Sequence, residues 1–393
     1  MTGLSLDLCG AEVLLPEGFA RRRLSLADGA IVADTVGRRV DLSGYLVLPG
    51  LVDLHGDAFE RHLAPRRGAM KQMTEGVIAA EAELAANGIT TAVLAQFYSW
   101  EGGLRSPDYA GRVFDAIRQV QSDVVTDLIP QLRFETHMLD DYADLPDRIA
   151  TWAVPYLVFN DHLPHDRLAA GKRPPRLTGQ ALKAGRNPDR HFQMMLDLHG
   201  RGDEVPGALA ELTRMLAAAG VRLGSHDDRT AAERTAWRAL GVPIAEFPET
   251  PEAAEAARAG GDAIILGAPN VVRGGSHKGN ASALDLIAMG LCDALASDYH
   301  YPSLRRAALM LSRSGLCDLA GAWQLVSSGP AQVFGLTDRG SLAPGRRADI
   351  VILEQGTHRV AATMGQGRIS YMNGGIADRF LDRIQGGAAS QAR

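Results

Sequence analysis

His55 and Asp57 stand one residue apart at the end of an apolar run, Tyr45-Leu46-Val47-Leu48-Pro49-Gly50-Leu51-Val52-Asp53-Leu54-His55-Gly56-Asp57. On a strand, residues i and i+2 point to one face, so an imidazole and a carboxylate at this spacing can reach a single cation. Further groups of the same kind follow apolar runs later in the chain: Glu135 with His137, Asp161-His162, His226-Asp227-Asp228, and Asp298 with His300. One histidine at a strand end is an ordinary polar terminus; five strand ends of this kind are better explained by a shared metal centre. Mixed imidazole and carboxylate ligands suit zinc, manganese or iron. The expected ligand set is His55, Asp57, Glu135, His162, His226 and Asp298. A site of two divalent ions needs a bridging anion, which Glu135 could supply. A carboxylate beside a metal-bound water can also take its proton, and Asp298 is the expected catalytic group.

The elements that must position these groups alternate. Apolar strands are expected at Ile89–Ala95, Leu128–Glu135, Val154–Asn160, Val221–Ser225, Pro243–Phe247, Ala263–Leu266 and Asp293–Ser297, with helical stretches between them. A helix is expected from Thr74, as N-cap, to Asn87-Gly88. With the opening strand this makes eight βα units, which right-handed crossovers can close into a barrel. The fold class is therefore α/β, a (β/α)8 TIM-like barrel. Ahead of it lie short strands broken by turns, at Leu4–Leu8, Glu12–Leu15, Arg22–Leu26, Ala30–Asp34 and Arg39–Leu42.

A second stretch speaks to substrate. Gly267 to Asn280 reads GAPNVVRGGSHKGN and lies between an apolar strand and a helix beginning near Ser282. Glycine-rich turns free backbone N–H groups to cradle phosphate oxygens, and a helix N-terminus adds positive potential. Arg273, Gly274, Gly275, Ser276, His277 and Lys278 are the candidate anion-binding residues, joined by His300 within Tyr299-His300-Tyr301. Arg66, Arg67 and Lys71 could add charge, and a solvated loop explains them equally well. From His165 to Arg190 a basic, Pro- and Gly-containing insertion reads as a long loop beside His162, either a lid or a solvated surface.

The wording of these motifs carries a resemblance. Pro49-Gly50 followed by Asp53, His55 and Asp57 resembles the entry to the first barrel strand of the amidohydrolase superfamily, with Asp57 where His is usual. GAPNVVRGGSHKGN, GSHDD at 224–228, AEFP at 245–248, DHLP at 161–164 and LHGD at 54–57 together resemble one branch of it. That branch is the PhnM-type diphosphatases of the carbon–phosphorus lyase pathway. The resemblance implies hydrolysis of α-D-ribose 1-methylphosphonate 5-triphosphate to the 5-phosphate with release of pyrophosphate. It also implies that Asp298 is both ligand and proton shuttle. In the superfamily the two single histidines usually sit on strands five and six, whereas His162 and His226 fall on four and five here. The segment Gly340–Leu353 resembles the return into a small β-sandwich, which implies one discontinuous unit made by both chain ends. The expected boundaries are 1–49 and 339–385 for the sandwich, 50–338 for the barrel and 386–393 for a disordered tail. A C–N hydrolase, a deacetylase or cyclic amidase, is the alternative on this scaffold; a barrel that has lost catalysis is disfavoured by the full ligand set.

Composition excludes little but agrees. The chain has 393 residues, 46% hydrophobic and 22% charged, enough for a large core. A net charge of -5 gives no support for nucleic-acid binding. No apolar run approaches the roughly 20 residues that span a bilayer. The first residues lack the pattern of a secretory signal, and Cys9, Cys292 and Cys317 are too few and scattered for a disulfide framework. The expectation is a cytoplasmic protein acting on a small phosphorylated molecule, with neither nucleic acid nor membrane as partner; a homodimer is compatible with it.

Overall fold

In the computed structural model, which describes residues 3–64, 72–274 and 282–381, eight parallel strands follow one another in chain order around a barrel. They are Leu51–Gly56, Ile89–Tyr98, Asp127–Glu135, Tyr156–Asn160, Arg222–His226, Ile244–Glu246, Ala263–Gly267 and Ala294–Ala296. Each pairs in parallel with the next. The eighth meets the first through a parallel bridge between Gly56 and Asp298. All eight strands lie where the apolar runs place them, and His162 and His226 indeed follow strands four and five.

Both chain ends build the remaining sheets. Strands Glu12–Leu15, Gly18–Ala20 and Tyr45–Pro49 join Ile350–Glu354, Val360–Gly365 and Arg368–Met372 in a six-stranded sheet. Leu6–Cys9, Leu24–Ala27, Ala30–Val32 and Arg39–Asp41 form a four-stranded one. The buried faces of the two share one core, with Leu6, Leu8, Leu26 and Val47 packed among Ile350, Ile352 and Ala362. The run from Tyr45 to Asp57 is thus two strands rather than one. Its first half belongs to the sandwich and its second to the barrel, and the chain turns between them at Gly50. A Cβ at Gly50 would lie 2.3 Å from Thr90 Oγ1, so only glycine lets the chain pass the second strand there.

Three local readings are corrected. The helix after the first strand is Met73–Ala86, with Gln72 rather than Thr74 at its N-cap position; it does stop at Asn87-Gly88, where Gly88 takes φ 86°. The insertion is not a loop: it folds into helices His165–Ala169, Leu177–Lys183 and Pro188–Gly200. Its basic residues hide a sparse apolar pattern, and Leu168, Leu177 and Met195 pack with Trp100 and Leu163. The glycine-rich stretch begins as a short helix, Ala268–Arg273, closed by Gly274 at φ 73°. Gly275, Ser276, His277 and Lys278, with Arg66, Arg67, Lys71 and the tail 386–393, lie outside the described residues. No helix among those described is long and apolar enough to cross a membrane.

Candidate metal and active site

Alternation along the strands stacks the polar groups in layers. On the first strand Asp53, His55 and Asp57 share a face, and on the third Gln131, Arg133 and Glu135 do the same. At the deepest level Asp53, fully buried, accepts from the Ser297 amide at 2.9 Å and from the Ser297 hydroxyl at 2.5 Å. That ties strand one to the end of strand eight. A Cβ at Gly56 would come within 2.9 Å of Asp53 Oδ2 and 3.0 Å of the Tyr301 ring, which is why glycine separates His55 from Asp57. Tyr301 is itself buried in this core.

One level up, Glu246 at the end of strand six reaches across the barrel. His55 Nδ1 donates to Glu246 Oε2 at 2.6 Å, and Gln131 Nε2 and the Tyr156 hydroxyl donate to Oε1 at 2.9 and 2.6 Å. Burial alone would lower the His55 imidazole pKa, but the Glu246 carboxylate outweighs it and the net shift is upward. With Nδ1 so engaged, His55 Nε2 is buried and has no hydrogen-bond partner among the described residues. A carboxylate on Nδ1 and a free Nε2 are how a metal-binding histidine is held. This orphaned nitrogen fits a divalent ion.

The layer above holds the reacting groups. His55, Asp57 and Asp298 offer ligand atoms within 4.8 Å of one another. The His226 ring lies 5.4 Å from the His55 ring, and Phe247 meets both edge-on at 5.1 Å. Arg133 enters between them: its guanidinium is 3.0 Å from His226 Nε2 and 3.5 Å from Asp57. Burial and Arg133 together hold His226 down to about 4, so its ring is neutral near pH 7. Burial, then the adjacent Asp57 carboxylate, push Asp298 up to about 6. Asp227, Phe247 and Asp298, each just past a strand end, all have positive φ, 62°, 55° and 55°. Non-glycine residues in that region are costly and cluster where function demands a particular side-chain direction.

The six expected ligands fall into two groups. Glu135 is not beside His55; its carboxylate is held by His162, which donates from both its ring Nδ1 and its amide, the latter at 3.1 Å. Glu101 completes that second group. Arg133 stands between the two, stacked on Phe97 at 3.9 Å while Arg105 covers the same ring at 3.8 Å. Arg273 sits at the rim, 5.8 Å from the Tyr299 ring and bonded to Asn270 at 3.0 Å. His300 caps the turn after strand eight and joins no potential ligand group among the described residues. A cleft of about 480 Å³ runs from His226 and Asp227 past His162 to the insertion.

Sequence reasoning passed over Arg133, Glu246 and Glu60. The first two were legible in principle, since Gln131-Arg133-Glu135 alternates and Glu246 ends a strand as Glu135 does. Glu60, on the short helix after strand one, is pushed up to about 7 by burial and then by Asp57. Only the folded contact with that site makes it noteworthy.

Comparison with known proteins agrees with this geometry. The family model described as "Amidohydrolase family" matches residues 58–371. The chain is 33% identical over 323 residues to the alpha-D-ribose 1-methylphosphonate 5-triphosphate diphosphatase of Escherichia coli (strain K12), covering 80% of this chain and 84% of that protein. A 60-residue stretch, 15% of this chain and 10% of the relative, is 48% identical to an adenine deaminase of Methylobacterium nodulans. Among solved structures, the beta-aspartyl dipeptidase of Fervidobacterium islandicum AW-1 superposes with a TM-score of 0.61 at 13% identity, covering 94% of this chain and 99% of that one. That likeness concerns the fold alone.

Proposed function

The chain belongs to the amidohydrolase family, and on that footing we propose that it is a metal-dependent phosphoanhydride hydrolase. Its substrate would be a ribose 5-triphosphate of the α-D-ribose 1-methylphosphonate type, converted to the 5-phosphate with release of pyrophosphate. The observation that carries this reading is the 33% identity extending over 80% of the chain to a diphosphatase of that specificity. The cationic groups support it: Arg133 lies against Asp57 and Arg105 against Glu101, offsetting carboxylates that by themselves would repel a polyanion, and Arg273 stands over Tyr299.

Two divalent ions, of zinc, manganese or iron, would be held by His55, Asp57 and Asp298 with His226 alongside, and by Glu135 and His162. Bound there, such ions supply hydroxide at neutral pH and polarise a phosphoryl oxygen. The chain's own residues do the rest. Asp298 accepts the proton of the attacking water, as a carboxylate beside a metal-bound water can. Water adds to the α- or the β-phosphorus, the P–O bond from that phosphorus to their shared oxygen breaks, and the 5-phosphate and pyrophosphate separate. Arg133 and Arg105, fixed on the two faces of Phe97, neutralise charge on the triphosphate without having to reorganise. Glu60, pushed up to about 7 by burial and then by Asp57, can exchange a proton near neutral pH.

A C–N hydrolase is the second reading, favoured by the short match to an adenine deaminase. A coupled pyrophosphate assay with a ribose 5-triphosphate compound or GTP, run beside a panel of amides, lactams and adenine, separates the two. Pyrophosphate release is the result expected; turnover of the second panel alone would favour C–N hydrolysis.

A further inference from the structure

Beside the mouth of the barrel lies another set of ligand-type side chains that the reaction above does not use. His137 follows strand three, Asp161 follows strand four, His165 opens the first helix of the insertion, and His199 lies in the last turn of helix Pro188–Gly200. His137 Nδ1 is 3.6 Å from one Asp161 oxygen, and His165 Nε2 is 2.9 Å from the other. His165 Nδ1 is 2.8 Å from His199 Nδ1. The three rings are packed at centroid separations of 4.8 and 5.0 Å.

We propose that His137, Asp161 and His165 form a separate binding site for a divalent transition-metal ion, with His199 positioning His165 from behind. Three features argue for it over a plain hydrogen-bonded cluster. Two imidazole nitrogens converge on the two oxygens of one carboxylate, and ligand atoms of all three residues lie within 4.8 Å of each other. In a tetrahedral site with bonds near 2.0–2.1 Å, neighbouring ligand atoms are about 3.3 Å apart; His165 Nε2 is 2.9 Å from one Asp161 oxygen and His137 Nδ1 3.6 Å from the other, so a turn of the carboxylate brings both rings to one ion. The far nitrogen of His165 is engaged by His199, as the outer nitrogen of a ligating histidine is usually engaged. His137 is buried at 6% exposure, its Nδ1 also 3.3 Å from the Thr136 hydroxyl. The fourth position opens to the cleft of about 480 Å³, lined by Asp161 and His165, where water can complete the shell.

The location gives the site a purpose. Its ligands come from two barrel loops and from the insertion, so an ion there fastens the insertion helices beside His162. A structural metal of this kind contributes binding free energy directly to the order of the segment it clamps.

The test uses the full-length protein and zinc alone. In a His55→Ala, Asp298→Asn background, zinc titration followed by dialysis and elemental analysis should leave one tightly held ion per chain from this site, beyond any at Glu135 and His162. Adding His165→Ala should remove one equivalent. Adding His199→Ala instead should weaken binding by about 10–100-fold without abolishing it. A zinc content unchanged by His165→Ala would overturn the proposal. So would a cobalt-substituted background protein whose visible spectrum is unaltered by either histidine replacement. Because the readout is metal content and not turnover, failure here is distinct from failure of the diphosphatase reading.

Discussion

The amide of Asp298 donates to the carbonyl of His55 at 2.9 Å, and the amide of Asp57 donates back to the carbonyl of Asp298 at 3.0 Å. These two bonds close the barrel at its carboxyl end. The backbone that completes the fold is therefore the backbone that presents three of the expected ligands. Positions on rigid strand ends, locked to each other in this way, are held more tightly than any loop could hold them.

Asp298→Asn is expected to leave the fold intact and to lower turnover by at least about 100-fold, the usual scale for removing a general base. Asparagine tolerates the positive φ of this position better than most residues, so the backbone closure survives. Circular dichroism with steady-state kinetics checks it. Near-normal turnover would remove Asp298 from the chemistry.

Glu246→Gln should weaken metal binding by about 10–100-fold, because Glu246 fixes the orientation of His55 and does not itself face the reaction. At saturating metal, turnover should largely recover. A loss of turnover that added metal cannot restore, with affinity unchanged, would contradict this positioning role.

Metal binding should stabilise the protein, and more strongly as pH rises from 5 to 8. Asp298 is pushed up to about 6, and His55, which burial alone would lower, is raised net by Glu246. A bound cation must displace these protons, so its affinity grows as they are lost. At a hundredfold excess over Kd the gain is about 2.7 kcal/mol. Melting curves with and without chelator at several pH values measure it; a metal-dependent increment that shrinks with pH would run against the argument.

In the sandwich, burial of Asp7 opposes ionisation, but Thr35, Val36, Ser25 and Gly37 all donate to its carboxylate and hold its pKa well below the usual range. A depressed carboxyl stabilises above its unfolded pKa, near 4, and the contribution is lost as pH falls through the folded value. Asp7→Asn should cost on the order of 1–3 kcal/mol at pH 7, with the difference from the parent narrowing toward pH 3. Urea unfolding at the two pH values decides it.

The barrel was legible because its strands are largely apolar runs, several of them ending on or just before a His, Asp or Glu residue. What the runs could not tell is how strand ends meet. His162 and His226 read as equivalent ligands, yet His162 pairs with Glu135 while His226 sits with His55, a distinction made by barrel geometry alone. Glu246 looked like part of a motif and proved to be the support of His55. The insertion was misread because charge dominates its composition, while three or four apolar contacts suffice to order its helices.

The measurement that bears most directly on the central claim is ³¹P NMR of the metal-loaded protein with a ribose 5-triphosphate compound. Pyrophosphate and a 5-monophosphate appearing together, in equal amounts and lost on chelation, are the products expected. Release of inorganic phosphate with a 5-diphosphate, or no reaction with any divalent metal, would contradict the assignment.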